Sequence, residues 1–365
     1  MGTLDELIFY CKMKKPGGAM ALLGESGCGK TYLVEQDLQE ALKDSHVIVR
    51  VSLFGISSIH ALHEAVKKQW FISLLPIRSK KIKPEQLVVG KSFMNAINSV
   101  LTIVNPRAGS IGLAASVFMD DIVILSVVED IHTKQTKRVV LVFDDVDHAL
   151  LNPTELLGTI NDYCENRHFN TIMIAEMESF VEMDTQTADI IKLAKEKTVA
   201  YTVFDFPDYG KIIHDLIADR EWKNEEYAKF LQQHEQTIIQ LFVSDSKETI
   251  DVAEPLDKCH NLRSLVTGLE SFFRIYHHMT EAGIPDIEPY LCAFLPYYLA
   301  EKSGIKRNGK TSFTYTDEEL CSLYPSFSAG NLFDSVRQWI RQGYWDPELF
   351  TKELSRVRTA DREKA

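Results

Sequence analysis

Residues 24–31 read Gly-Glu-Ser-Gly-Cys-Gly-Lys-Thr, which satisfies the pattern G-x-x-x-x-G-K-[ST]. The apolar run before it, residues 19–23, has the composition of a buried parallel strand. Residues 32–43 follow with apolar side chains at helical spacing. This context predicts a loop whose backbone N–H groups, together with the start of a helix, face the phosphates of a bound nucleotide.

All eight residues of this loop are predicted to bind the nucleotide: Gly24, Glu25, Ser26, Gly27, Cys28, Gly29, Lys30 and Thr31. The Lys30 ammonium would neutralise the β- and γ-phosphates, so it also counts as a catalytic residue. The Thr31 hydroxyl would be a ligand of Mg²⁺.

An acidic pair provides the second half of the predicted site. Residues 139–143 (Val-Val-Leu-Val-Phe) form the most strand-like run of the chain and lead into Asp144 and Asp145. Carboxylates after a parallel strand lie at the sheet edge where ligands bind. We expect Asp144 to hold Mg²⁺ through water and Asp145 to orient or deprotonate the attacking water. Such a pair often only caps the next helix, but residues 152–155 (Asn-Pro-Thr-Glu) provide a better cap.

The nucleotide is predicted to be ATP. GTPases recognise their base with an Asn-Lys-x-Asp motif, which the sequence lacks. A small-molecule kinase is less favoured, because such chains are usually shorter and basic lid arginines are not evident. ATP and Mg²⁺ are therefore the expected cofactors.

The composition is that of a soluble protein with two or three domains. The chain has 365 residues, 45% of them hydrophobic, with a net charge of −12 and a pI near 5.4. This balance makes nucleic acid unlikely as the main ligand, and the basic run at 78–83 is interpreted as a solvated loop. The six cysteines form no C-x-x-C pair, which favours reduced thiols and a cytoplasmic location.

No membrane span or signal peptide is expected. The chain starts without a basic segment or an apolar run. The most apolar stretch, residues 109–128, contains Asp120 and Asp121. Each would cost about 2.5–3.5 kcal/mol at a bilayer centre, so the stretch is interpreted as a buried or interface helix.

The order of elements predicts an α/β fold of the P-loop NTPase, AAA+-like kind. Five strands alternate with helices up to residue 206, which indicates a three-layer structure with a parallel sheet covered on both faces. From residue 209 onwards the strand signals stop, so the C-terminal region is predicted to be all-helical. The predicted domains are a core at 1–208 with a helical insertion at 84–137, a helical region at 209–305, and a small helical module at 306–365 beyond a polar linker at 306–310.

Several strings resemble the KAP family of P-loop ATPases, which belongs to the signal-transducing (STAND) part of the AAA+-like ATPases. The matching strings are residues 24–33, 51–57 (Val-Ser-Leu-Phe-Gly-Ile-Ser), 143–147 (Phe-Asp-Asp-Val-Asp), 196–199 and 261–263 (Asn-Leu-Arg). The long insertion between the phosphate-loop motif and the acidic motif is also consistent with the family. The sequence departs from the family at Ser26, usually Trp, at His148, usually basic, and at Glu176, where a polar sensor such as Asn is usual.

The resemblance implies an ATP switch that couples nucleotide state to homo-oligomerisation or to docking of a protein effector or sensor. It also implies slow hydrolysis and a role in antiphage defence. Residues 209–305 would be a lid in which Arg263 reaches the γ-phosphate as a sensor and takes part in catalysis. Arg138 and Arg167 both remain open as an arginine finger acting in a neighbouring subunit.

Two other functions remain open. One is a DNA-associated initiator ATPase of the AAA+-like kind, with the last sixty residues as a winged-helix module. The acidic balance opposes it, since Arg337 and Arg341 are the only arginine pair on the helix predicted at 331–342. The other is a nucleotide-bound scaffold without turnover, suggested by the missing polar sensor at Glu176.

Overall fold

The computed structural model describes residues 2–78, 124–130, 133, 135–176, 188–204, 207–243 and 256–364. It divides into two compact units, one formed by Met1–Glu25 and Gly29–Phe206, the other by Ser26–Cys28 and Pro207–Ala365. Most of the predicted insertion at 84–137, and the membrane-like stretch at 109–128 up to residue 123, lie outside the described residues.

The first unit is built on a sheet whose strand order is β2-β4-β5-β1-β6, with every neighbouring pair parallel. Its strands are β1 (Ala19–Gly24), β2 (His46–Ser52), β3 (Val127–Glu129), β4 (Thr136–Asp144), β5 (Asn170–Glu176) and β6 (Val199–Phe204). The predicted parallel sheet is confirmed. The short strand β3 pairs antiparallel with β4 and was not predicted. Three residues carry too little periodicity to indicate a strand, and the pairing with β4 creates it.

Helices cover both faces of this sheet, as predicted for a three-layer fold. They are α1 (Thr3–Lys12), α2 (Lys30–Tyr32, continued through a π-helical segment Leu33–Leu38 to Gln39–Leu42), α3 (Ile59–Arg78), α4 (Pro153–Asn161, extended by the π-helical Asp162–Asn166) and α5 (Ala188–Thr198). Val140 and Val142 pack with α1 and α2, whereas Leu141 and Phe143 pack with α3 and α4. Because the sheet is covered on both sides, its inner strands β1, β4 and β5 are buried along most of their length.

A buried tyrosine joins α1 to the strand that carries the phosphate loop. The Tyr10 hydroxyl is fully buried and lies 3.0 Å from the Gly18 carbonyl and 2.9 Å from the Thr171 carbonyl. It also accepts a hydrogen bond from the Thr171 amide at 3.0 Å. Burial raises the pKa of Tyr10, so the hydroxyl stays protonated and donates. This contact fixes α1 against the starts of β1 and β5.

The second unit is mostly helical, which confirms the helical C-terminal region. Its helices are α6 (Tyr209–Asp219), α7 (Glu225–Gln233), α8 (Glu235–Val243), α9 (Leu262–Glu281), α10 (Glu288–Ser303), α11 (Asp317–Leu323), α12 (Asp334–Gln342) and α13 (Pro347–Lys364). Helices α7 and α8 meet at His234. Helix α11 begins with a capping box of Thr316 and Glu319, and α13 begins after the Asp346 cap. Helix α12 ends at Gly343, whose φ is 74°.

The expectation that no strand follows residue 209 was wrong. An antiparallel sheet of the order β7-β8-β9 is formed by β7 (Leu256–Lys258), β8 (Ile305–Arg307) and β9 (Lys310–Ser312). The predicted linker at 306–310 is the turn of this hairpin. Asn308 and Gly309 both have positive φ, 51° and 76°, as a two-residue hairpin turn requires.

The predicted boundary between residues 305 and 306 falls within strand β8. One hydrophobic core contains side chains from both sides of it, including Ile217, Phe272, Phe294, Leu323 and Phe350. None of the helices among the described residues is both long enough and apolar enough to cross a membrane.

Candidate nucleotide site

The loop at 24–31 connects the end of β1 at Gly24 to the start of α2 at Lys30, as its pattern predicts. Gly29 precedes the helix with φ 118° and ψ 6°, a backbone conformation that side-chain-bearing residues rarely adopt. Its carbonyl accepts the Leu33 amide at 2.9 Å. The loop therefore leads into a helix N-terminus, where backbone N–H groups are available to an anion.

The Lys30 side chain is buried, with 8% of its surface exposed. Its Nζ donates hydrogen bonds to the Gly24 carbonyl at 3.0 Å and to the Glu25 carbonyl at 2.6 Å. A buried ammonium needs acceptors, and here the loop's own carbonyl oxygens provide them. Charged phosphate oxygens are stronger acceptors than carbonyls, so a nucleotide could replace these bonds.

The two predicted metal ligands lie next to each other although they are 113 positions apart. The Thr31 Oγ1 hydroxyl donates to Asp144 Oδ2 at 2.9 Å. The Asp144 side chain is almost fully buried, and its Oδ1 accepts the Asp145 amide at 2.9 Å. One hydroxyl and one carboxylate are the oxygen donors that suit Mg²⁺, which usually takes its other ligands from phosphates and water. The residues present therefore fit a Mg²⁺–nucleotide.

Asp145 lies at the start of a short 3₁₀ turn, Val146–His148, with φ 57° and ψ 41°. A left-handed conformation is uncommon outside glycine, although Asp tolerates it better than most residues. The Ser52 hydroxyl at the end of β2 donates to Asp145 Oδ2 at 2.7 Å. The paired register of Ser52 with Asp144 brings these side chains to one edge of the sheet.

Arg50 is a site residue that sequence analysis missed, as is Ser52. Arg50 Nε donates to Asp144 Oδ2 at 2.7 Å, and Arg50 Nη1 donates to Glu35 Oε1 at 2.8 Å. Partial burial would by itself lower the pKa of Arg50, but the hydrogen bonds and charges of Asp144 and Glu35 raise it. The signal was present, since Arg50 and Ser52 are polar residues at alternate positions of an otherwise apolar strand.

Arg263 is exposed in the first turn of α9, which begins after the Asn261 cap. In the same unit, the amide of its neighbour Leu262 donates to the Gly27 carbonyl at 2.9 Å. Its role as a sensor stays a prediction. Glu176, at the predicted sensor position, lies beside Gly24 in the sheet register.

The two candidate arginine fingers both have partners within their own unit. Arg138 lies near the amino end of β4, whereas Asp144 lies at the carboxyl end of that strand. Arg138 Nη1 donates to the Met13 carbonyl at 2.8 Å. Arg167 forms an ion pair with Asp162 at 2.7 Å and lies over the Tyr163 ring at 4.8 Å. Neither contact indicates a role in a neighbouring subunit.

The phosphate loop after β1 and the acidic pair at the end of β4 meet at the carboxyl edge of a parallel sheet. The chain has the P-loop NTPase fold. No family model matches it, and no curated protein sequence matches it. The resemblance to the KAP family is therefore not confirmed.

Three solved structures are similar to this chain at a low level. The Aeropyrum pernix ORC2 protein in ADPNP–ADP complexes has 11% identity and a TM-score of 0.32, with 97% of this chain and 82% of that chain covered. A Drosophila ORC structure with GC-rich DNA and Cdc6 has 9% identity and a TM-score of 0.30, covering 81% of this chain and 50% of that chain. The Pyrococcus furiosus Hef helicase domain has 15% identity and a TM-score of 0.27, covering 81% and 56%. Likeness at this level says nothing of what this chain binds.

Proposed function

We propose that the protein is an ATP-binding and slowly hydrolysing switch of the AAA+-like kind. The observation that carries this proposal is the contact between Thr31 Oγ1 and Asp144 Oδ2 at 2.9 Å, which joins the two motifs. This contact supports the proposal because the two motifs would both be needed to bind a Mg²⁺–nucleotide. ATP rather than GTP follows from the missing Asn-Lys-x-Asp motif.

In this proposal, each residue either keeps a contact that it makes in the nucleotide-free protein or exchanges that contact for one to the nucleotide, the metal ion or water. Lys30 gives up the Gly24 and Glu25 carbonyls for phosphate oxygens, and Thr31 with Asp144 would hold Mg²⁺, which supplies electrophilic activation of the phosphates. Asp145 accepts a hydrogen bond from the water that attacks the γ-phosphate and so orients it. Ser52 holds the Asp145 carboxylate by a hydrogen bond, which limits its rotation.

Phosphate release by the purified chain tests turnover. Asp145→Asn keeps the size of the side chain and a hydrogen-bonding oxygen for Ser52, but it removes the negative charge. We expect ATP binding to remain and phosphate release to fall by about 10²–10⁴-fold. Lys30→Ala is the control for contaminating activity. Wild-type release that does not exceed the Lys30→Ala rate would favour the scaffold without turnover.

Two exposed apolar side chains support oligomerisation or partner docking as the output. Phe54 and Leu150 are 73% and 71% exposed and lie in the loops that follow β2 and β4. These loops are joined by a hydrogen bond from the Leu150 amide to the Ile56 carbonyl at 2.8 Å. Since both loops leave the edge that carries Asp145, a surface here would sense the nucleotide state.

Particle mass measured by light scattering, with and without ATP and Mg²⁺, tests this output. We expect a nucleotide-dependent increase that Phe54→Ser with Leu150→Ser abolishes while ATP binding remains. Phe9→Ser is a matched control, because Phe9 is also an exposed aromatic side chain but lies on α1. An unchanged mass with ATP would leave docking of an effector or sensor protein as the only form of this output.

The narrower KAP/STAND assignment and the antiphage role rest on the resemblance of the strings at 24–33, 51–57 and 143–147. The same resemblance proposes Arg263 as the lid sensor. Arg263→Ala should then reduce the ATP-dependent increase in particle mass more than it reduces the affinity for ATP. Equal losses in both would assign Arg263 to binding alone.

The alternative of a DNA-associated ATPase is favoured by one observation. The succession β7-α9-α10-β8-β9 places a strand and two helices before a hairpin whose residues 306–310 include three basic side chains. It is opposed by α10, since every residue from 291 to 300 is buried and the helix offers no open face there. Salt-dependent binding of duplex DNA would support this alternative, and Lys310→Glu should then weaken it.

A further inference from the structure

We propose that Arg50 is a charge-compensating residue that holds Asp144 in the nucleotide-free protein and yields this carboxylate to Mg²⁺. Only the second half of this proposal, in which Arg50 yields Asp144 to Mg²⁺ on nucleotide binding, rests on the proposed function. Its basis is the pair of hydrogen bonds from one guanidinium, Nε to Asp144 at 2.7 Å and Nη1 to Glu35 at 2.8 Å.

Asp144 needs a cation. Its side chain is only 3% exposed, and burying an unpaired carboxylate is costly. Thr31 and the Asp145 amide donate hydrogen bonds to it but bring no full charge. Arg50 is the residue among those described that forms an ion pair with Asp144.

Arg50 and Mg²⁺ would compete for the same oxygen. Asp144 Oδ2 already accepts hydrogen bonds from both Thr31 and Arg50, which uses the two lone-pair positions of one carboxylate oxygen. A Mg²⁺ ion or one of its waters beside Thr31 would need the position that Arg50 Nε holds. The two cations would also repel each other.

Glu35 provides a second acceptor for the displaced guanidinium. It lies on α2, its carboxylate is 45% exposed, and it already binds the far end of the same side chain. The Arg50 side chain is 34% exposed, so it has room to move outwards. Arg50 can therefore leave Asp144 without becoming an unpaired charge. It acts as a positioning residue and contacts no nucleotide in this proposal.

Thermal unfolding without nucleotide tests the first half. In EDTA, Arg50→Gln should lower the melting temperature by about 4–8 °C, because Asp144 becomes an uncompensated buried charge. Millimolar Mg²⁺ should recover most of this loss, and adding Asp144→Asn should remove both the loss and the response to Mg²⁺. An Arg50→Gln protein that responds to Mg²⁺ no more than wild type, or a response that survives Asp144→Asn, would overturn the proposal.

Binding of a fluorescent ATP analogue at graded Mg²⁺ tests the second half. The Mg²⁺ concentration for half-maximal binding should fall about three- to tenfold in Arg50→Gln. It should rise in Glu35→Gln, where the displaced guanidinium loses its acceptor. Arg50→Lys keeps the charge but cannot bridge Asp144 and Glu35 in the same way, so its half-maximal Mg²⁺ concentration should lie between those of wild type and Arg50→Gln. If Arg50→Gln does not fold, Arg50→Lys and Glu35→Gln should still shift this concentration in opposite directions. Equal weakening of analogue binding by Arg50→Gln in EDTA and in Mg²⁺ would instead place Arg50 on the nucleotide.

The two measurements separate the two proposals. If the wild-type protein binds no nucleotide, the proposed function fails. The unfolding experiment contains no nucleotide, so it decides on Arg50 and its exchange with Mg²⁺ in either case.

Discussion

Removing the Thr31 hydroxyl tests the junction between the phosphate loop and β4. Thr31→Ala deletes the 2.9 Å hydrogen bond to Asp144, whereas Thr31→Ser keeps an oxygen in the same place. A hydrogen bond to a charged group contributes about 1.5–3 kcal/mol. Because Arg50 and the Asp145 amide still contact Asp144, we expect the lower end of this range. This corresponds to a fall of about 3–6 °C in melting temperature.

The same substitution should weaken the contribution of Mg²⁺ to ATP binding. Loss of one ligand should reduce the gain in affinity that Mg²⁺ provides by about tenfold, which is 1.4 kcal/mol. Binding of a fluorescent ATP analogue in EDTA and in Mg²⁺ measures this gain for wild type, Thr31→Ser and Thr31→Ala. Thr31→Ser should keep most of it. Equal gains in Thr31→Ala and wild type would refute the assignment of Thr31 as a metal ligand.

Two further predictions concern the stability of the first unit. Tyr10→Phe leaves the Thr171 amide without its buried partner and should lower the free energy of unfolding, measured with denaturant, by about 1–3 kcal/mol. Tyr201→Phe, on the half-buried ring that contacts Tyr10, should lower it by less than about 0.5 kcal/mol. Equal losses in the two variants would contradict the role of Tyr10. Burial lowers the pKa of His46 below its ordinary value of 6.5, so the unfolded chain takes up a proton before the folded protein does. Stability should therefore be lost as the pH falls through 6.5, and His46→Gln should flatten that part of the melting-temperature profile; an unchanged slope would contradict it.

The sequence predicts the first unit well because its signals are local. The loop at 24–31 has a fixed spacing, and the run at 139–143 is long and purely apolar. The Asn152 cap was also read correctly, since its side chain accepts the Thr154 amide at 2.9 Å. These features need no knowledge of tertiary contacts.

What the sequence did not predict depends on pairing between distant segments. β7 and β8 have three residues each and become strands only because they pair across about fifty positions. The turn at Asn308-Gly309 was a usable hairpin signal, but it was interpreted as a linker because no long strand flanks it.

The partners of the acidic pair were missed for the same reason. Arg50 and Ser52 become site residues because the parallel register places Ser52 opposite Asp144. Nothing in the spacing of β2 relative to residue 144 indicates that register. The alternation of polar side chains in β2 indicated only that one face of its end is not part of the core.

The most direct test of the central claim is equilibrium binding of ATP to the purified chain, measured by calorimetry for wild type and Lys30→Ala with Mg²⁺ present. The account predicts one ATP bound per chain by wild type. It predicts a loss of at least about tenfold in affinity in Lys30→Ala, because the ammonium makes charge-assisted bonds to the phosphates. ATP binding of equal affinity in both proteins, or none in wild type, would contradict the account.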